Sequence, residues 1–399
     1  MLSRTKIICG AERLLNESEF TALVAGRTVG AVVNQTAVLG DYTFWPAVLG
    51  ERTGARLEVL FTPEHGLWGE QQDQVASPAA DESSLGARAV SLYLADPESL
   101  KPDPRTMAGL EAVLFDIQDV GSRYYTYIHT LAYVMEAAAE ADVQVVVLDR
   151  PNPLGGGMVE GPALRPGFES FVGRFAGMPV RHGLSAGELA RWFHSECGIG
   201  EEPVVVPLSG WRREDTAFDY DCPWVTPSPN MPTPDTALVY PGMCLLEGTI
   251  ISEGRGTTRP FEIFGAPWLD PVETAGLLNS LSLPGVRFRP QRFIPTFNKF
   301  TGQLCGGCQL HVTDRDEFRP FVTGAAVIRA AHRLAPEKFG WLEQAYEFVE
   351  DIPAIDLLFG SEKLRAAVDA GVAFEDVREL CRADTQSWME QCGGVLLYQ

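Results

Sequence analysis

Glu64 and His65 are the residues on which the chemistry of this chain turns. They stand side by side in Phe61-Thr62-Pro63-Glu64-His65-Gly66-Leu67-Trp68-Gly69-Glu70. A carboxyl next to an imidazole can move a proton or ligate a metal. Leu57–Phe61 before them is a short apolar run with the length and composition of a buried strand. Pro63 ends that strand, and Gly66 and Gly69 let the backbone turn. Open α/β sheets keep their ligand crevice beyond the carboxyl ends of such strands. Taken alone, the stretch also reads as a surface turn with a solvated Glu and a neutral His.

Three further strand ends change that balance. Arg27–Val33 ends at Asn34; Ala112–Ile117 carries Asp116 and leads to Asp119; Val143–Leu148 ends at Asp149-Arg150. Parallel strands open on one edge, so all these groups are expected to converge with Glu64 and His65. The intervening segments have helical character. Tyr127–Ala141 places Ile128, Leu131, Val134, Met135 and Ala138 on one face. Ser185 and Glu188 fit a capping box that opens a helix through Cys197. Glu12–Ala25 and Phe44–Leu49 complete the helices, with strands at Val204–Leu208 and, as a minor one, Val90–Leu94. Strands alternating with helices predict an α/β fold: a Rossmann-like, mostly parallel sheet domain followed by a smaller C-terminal α/β domain.

At 399 residues the chain is long for one core. The Pro-rich crossover Thr226–Pro234 marks the junction, with domains at 1–236 and 237–399. After it, 240–260 is dense in Gly and charge, with no amphipathic period. Phe261, Ile263, Phe264 and Trp268 follow and would anchor it, so we read 252–260, with Glu253, Arg255 and Arg259, as a binding loop. No Gly cluster has the spacing of a nucleotide-binding fingerprint. Helices are expected at 272–281, 317–334, 361–370 and 374–391, with strands at 286–288 and 310–312.

The net charge of −21 excludes a general nucleic-acid or anionic-membrane surface. No apolar run of about 18 residues exists to span a membrane. Met1–Gly10 is too short and weakly apolar for a signal peptide, so a cytoplasmic location is expected. Eight scattered cysteines then read as free thiols. Cys305-Gly306-Gly307-Cys308 has redox or zinc spacing. It has no second knuckle and precedes a strand-like run rather than opening a helix.

Several long motifs occur in one order: PEHGLWGE (63–70), FDIQDVGSRYYTYI (115–128), VVLDRPNPLGG (146–156), EGPAL (160–164), FESFVG (168–173) and PVRHGLSAGELA (179–190). WVTPSPNMPT (224–233), YPGMCLLEGT (240–249) and SEGRGTTRPFEIFGAPW (252–268) follow. This series closely resembles the exo-β-N-acetylmuramidase family of bacterial peptidoglycan recycling (the NamZ type), from about Ala22 to the C-terminus. The resemblance implies a glycosidase that removes N-acetylmuramic acid (MurNAc) from the non-reducing end of fragments such as MurNAc-GlcNAc. It implies a Rossmann-like domain, a smaller C-terminal domain and an active site in the cleft between them, with no nicotinamide or metal cofactor. The family's presumed catalytic carboxylate falls on Glu64. Many relatives carry an export signal, which the opening of this chain does not show.

Glycoside hydrolysis needs a carboxylic acid to protonate the leaving oxygen and a group to stabilise an oxocarbenium-like state. Glu64 suits the acid, its pKa raised by partial burial and neighbouring carboxylates, with His65 orienting it or touching the sugar. Asp116, Asp119, Asp149, Glu253 or the substrate's own acetamido group could be the second partner. Arg123, Arg150, Arg255 and Arg259 are candidates for the lactyl carboxylate. Asn34 and Asn230 are further binding candidates. Trp68, Tyr124, Tyr125 and Tyr127 could stack on a pyranose. Two rival readings are a metallohydrolase using His65, Asp116, Asp119, His129 and Asp149, and a muropeptide-binding protein without turnover.

Overall fold

Valine-rich runs of three to seven residues form the first sheet, because strands buried on both faces need apolar side chains throughout. The computed structural model describes residues 4–73, 75–77 and 85–399. The strands are β1 (Thr28–Val33), β2 (Arg56–Thr62), β3 (Arg88–Ser91), β4 (Ala112–Asp116), β5 (Gln144–Leu148) and β6 (Val204–Val206). All neighbours pair in parallel, in the order β3-β2-β1-β4-β5-β6. The order reverses between β1 and β4, and that switch point is where such sheets leave a crevice.

The predicted helix over 12–25 is two pieces: α1 (Gly10–Asn16) and a short turn at Ser18–Thr21. Glu17 between them is extended, and poor helix formers Asn16 and Ser18 flank it. The segment 44–49 is a 3₁₀ turn at Trp45–Ala47 followed by a helix at Leu49–Thr53. Helix α2 (Tyr127–Glu140) follows β4, and α3 (Ala186–Cys197) carries the expected Ser185–Glu188 capping box. Of the opening stretch Met1–Gly10, residues 1–3 lie outside the described residues; Thr5–Lys6 pairs with Tyr220–Asp221.

Helix α4 (Pro234–Met243) departs from expectation, since part of it reads as an aperiodic loop. Thr233 caps it, Pro234 opens it, and Thr236–Met243 are all buried. A helix enclosed on every side needs no polar face, so it has no amphipathic period to detect. The antiparallel sheet beyond it has the order β8-β9-β7. Its strands are β7 (Ile263–Ala266), β8 (Val286–Phe293) and β9 (Cys305–Val312). Helix α5 (Pro271–Ser280) precedes β8 and α6 (Pro320–Leu334) follows β9. The segment 374–391 breaks into Phe374–Leu380 and Thr385–Cys392, where Asp384 accepts from Ser387 N and restarts the chain as a helix. Cys305 and Cys308 lie buried within β9, and burial pushes their thiols up to about 11 and about 12. That is opposite to the low thiol pKa of redox and metal-binding cysteines.

One hydrophobic cluster joins both sheets. It contains Val32 and Phe115 from the first, Val239 from α4, and Phe264 and Phe288 from the second.

Candidate active site

Strand β2 delivers Glu64 to the crevice. Pro63 cannot continue the ladder, and the chain turns at once through His65 (φ +74°) and Gly66 (φ +84°). A left-handed conformation at a non-glycine residue costs energy, and such positions cluster at functional sites. His65 is held by its Nδ1–H, which donates to Gln71 O at 2.9 Å; the carbonyl can only accept, so Nδ1 carries the proton. Glu64 is 4% exposed, and its Oε2 accepts from Thr126 Oγ1 at 2.8 Å. Thr126 stands at the N-terminus of α2 without capping that helix by its side chain. Its hydroxyl therefore serves Glu64, and the positive end of the helix favours the carboxylate.

Glu64, His65, Asp73, Tyr124, Tyr125 and Thr126 line one wall of a cavity of about 40 Å³. Ser228, Asn230 and Met231 line another; Tyr240, Glu247, Arg255, Phe261, Tyr346 and Glu347 close it. This volume holds a water or two. A second cavity of about 280 Å³ adjoins it and shares Asp73, Glu247, Arg255 and Tyr346, adding Glu253 and Lys299. Two larger grooves, of about 650 and 890 Å³, lie elsewhere, and neither contains Glu64.

The Gly-rich stretch read as a binding loop carries Glu253 and Arg255 to the walls of these cavities. Gly254 and Gly256 have φ +84° and +77°, and a Cβ on Gly256 would lie 2.7 Å from the backbone of Phe297. Between them Arg255 is packed over the Phe261 ring, 5.0 Å from its centroid. Its Nη1 lies 2.8 Å from Glu247 and 3.2 Å from Glu253, and its Nε 3.4 Å from Asp73. Lys299 Nζ donates to Glu253 Oε2 at 2.9 Å. Burial works to raise the Glu253 carboxyl, yet Lys299 and Arg255 outweigh it and hold the group below its usual range. At Glu247 burial prevails and the carboxyl is pushed up. Five carboxyls (Glu64, Asp73, Glu247, Glu253, Glu347) thus stand around two cations, Arg255 and Lys299.

Other strand-end residues bond elsewhere. Asp116 accepts from Arg150 and from Trp45 Nε1, while Arg150 also donates to Val38 O. Asp149 accepts from Ser185, Tyr398 and the backbone of Arg150 and Gly187, a brace that pins α3 to β5. Asp119 accepts from Gly121 N and lies 3.6 Å from His182. Asn34 bonds its own turn at Thr36 and donates weakly to Pro227 O. Arg123 is buried and spends its guanidinium on three carbonyls, those of Pro162, Met178 and Leu358. Arg259 is half-exposed beside Glu262. Asn230 lines the cavity and donates to Gln72. Tyr125 lines it with Tyr124, Tyr127 donates to Pro227 O, and Trp68 packs on Phe44. His129 is buried in α2 with its ring bonded to Arg123 O, and burial lowers it to about 3. Among the described residues no three His, Cys, Asp or Glu side chains are grouped to hold a metal ion.

Sequence reasoning missed Asp73, Glu247, Tyr346 and Glu347. Glu247 lies within a quoted motif, so its signal was present. Tyr346 and Glu347 sit in a stretch with neither period nor motif, and no local signal marks them.

The chain is 42% identical over 376 residues to the Bacillus subtilis (strain 168) peptidoglycan β-N-acetylmuramidase NamZ, covering 94% of this chain and 87% of that protein. Two crystal structures of DUF1343 family proteins from Bacteroides fragilis are also similar. One superposes with a TM-score of 0.88 at 32% identity over all of both chains. The other superposes at 0.75 and 26% over 99% of each. Residues 29–235 match the family model of the exo-β-N-acetylmuramidase NamZ N-terminal part, and 238–398 that of its C-terminal part. The chain therefore belongs to the NamZ family of exo-β-N-acetylmuramidases.

Proposed function

We propose that this protein is a glycoside hydrolase of the exo-β-N-acetylmuramidase type, releasing MurNAc from the non-reducing end of peptidoglycan fragments, with MurNAc-GlcNAc the simplest substrate. The observation that carries the reading is Glu64: a carboxyl buried at a strand end, tied to Thr126 and opening on a cavity lined by tyrosines, Asn230 and Arg255. The name of the Bacillus subtilis relative supports it. Glu64 is the central carboxyl of the reaction. Arg255 is the cation for the lactyl carboxylate because it alone of Arg123, Arg150 and Arg255 lines the cavities, where it is also shared by Glu247, Glu253 and Asp73.

Domains at 1–236 and 237–399 fit a cavity whose walls come from both sides of the junction. Work on recycled fragments in the cytoplasm accords with eight free cysteines, and no helix among the described residues is long and apolar enough to cross a membrane. The test is MurNAc-GlcNAc incubated with wild type, with Glu64→Gln, and with wild type plus EDTA. Wild type should release MurNAc with or without EDTA, and Glu64→Gln should be slower by about 10²-fold or more. Loss with EDTA would point to the metallohydrolase. Binding without release would point to a muropeptide sensor.

A further inference from the structure

The strongest unexplained feature of the cavity is Glu347. It lies in the two-residue turn Tyr346-Glu347-Phe348-Val349, closed by Tyr346 N to Val349 O at 2.9 Å and Val349 N to Tyr346 O at 3.0 Å. Glu347 and Phe348 have φ of +46° and +68°. A turn with two left-handed central residues is ordinarily built from Asn-Gly, so Glu-Phe holds it under strain. The strain is held from outside: Phe348 packs against Tyr93 with ring centroids 5.7 Å apart, and Tyr346 OH donates to Glu247 at 2.6 Å. The result is a carboxyl 7% exposed, aimed into the cavity of Glu64, with Tyr93 OH donating to its Oε2 at 3.0 Å.

We propose, resting on the muramidase reading above, that Glu347 is the second active-site carboxyl and shares one proton with Glu64, which the pair delivers to the glycosidic oxygen. The C1–O bond breaks with its electron pair going to the leaving oxygen, which takes the shared proton. Water supplies oxygen to C1 and returns a proton to the pair, so the enzyme ends as it began.

The two environments divide the labour. Glu64 has the Thr126 hydroxyl and the positive end of α2, which favour its charge. Glu347 shares its cavity with Glu64, Glu247 and Asp73, with Tyr93 and Tyr346 beside it and Arg255 the cation that lines the same cavity. Burial first, then the charge of Glu64, pushes the Glu347 carboxyl well above its usual range. A carboxyl raised by its surroundings beside a second carboxyl is how glycosidases keep a proton at neutral pH.

The test is the pH–rate profile of kcat on MurNAc-GlcNAc for wild type, Glu347→Gln and Tyr93→Phe. Wild type should lose activity on the basic side only well above the ordinary carboxyl range, as the shared proton leaves. In Glu347→Gln that limb should move to lower pH, with kcat at neutral pH down by about 10²-fold or more. Tyr93→Phe removes a donor that favours ionised Glu347, so its basic limb should move to higher pH. This second variant decides the matter should Glu347→Gln not fold. A folded Glu347→Gln with wild-type rate and profile would overturn the proposal, as would a basic limb lowered in Tyr93→Phe. Wild type that releases no MurNAc would instead overturn the muramidase reading beneath it.

Discussion

Thr126 Oγ1 donates to Glu64 Oε2 at 2.8 Å, joining the end of β2 to the start of α2 across 62 residues of sequence. This bond helps to fix the orientation of the Glu64 carboxyl within the cavity. Neither residue belongs to a motif that contains the other.

Thr126→Val is therefore expected to lower kcat by about ten-fold, from the roughly 1–3 kcal/mol cost of leaving a buried carboxylate short of a donor. KM should change little, and Thr126→Ser should restore most of the rate. Steady-state kinetics on MurNAc-GlcNAc check this, and an effect confined to KM would count against Thr126 acting through Glu64.

Arg255→Met leaves Glu247, Glu253 and Asp73 without their shared cation. Removing one side of a buried ion network costs about 3–5 kcal/mol. The melting temperature at pH 7 should fall by several degrees. Glu247 is already pushed up by burial, and the variant pushes it further. A carboxyl with its folded pKa raised holds its proton better folded than unfolded, so stability falls as pH rises. The loss should shrink toward pH 5, which melting curves across that range would show.

Asp149 gives a second pH dependence. Burial raises its carboxyl to about 6 despite bonds from Tyr398, Gly187 N and Ser185. Its unfolded value lies near 3.9, so its contribution is complete below about pH 4 and lost as pH rises through about 6. The difference is about 3 kcal/mol. Asp149→Asn should flatten the urea-unfolding free energy between pH 4 and 6, a slope to which Glu160, raised to about 7 by burial, also contributes.

Gly256→Ala places a methyl 2.7 Å from the Phe297 backbone at a residue with φ +77°. A cost of about 1–3 kcal/mol is expected, and the displaced Arg255 should raise KM more than it lowers kcat. Unchanged KM in a folded variant would show that the loop does not position Arg255 for substrate.

The sequence by itself determined the sheet and the point at which Glu64 leaves it. Short valine-rich runs alternating with helices and ending in polar residues read as parallel strands sharing an edge, and Pro63 with Gly66 and Gly69 marks where the chain leaves that edge. Ser185 and Glu188 announce their helix because capping is local chemistry, read within four residues. Helix α4 was hidden because total burial erases the period that reveals a helix. The tertiary structure alone decided which strand-end groups face the cavity. Asp116 and Arg150 have the types and positions of site residues, but they satisfy each other inside the sheet, since a buried charge must find a partner. Glu347 has no local signature at all. It enters the cavity that Glu64 lines through a strained turn held by Tyr93 and Tyr346, and contacts between residues some 250 positions apart, such as Tyr93 with Glu347, are set by packing rather than by any spacing along the chain.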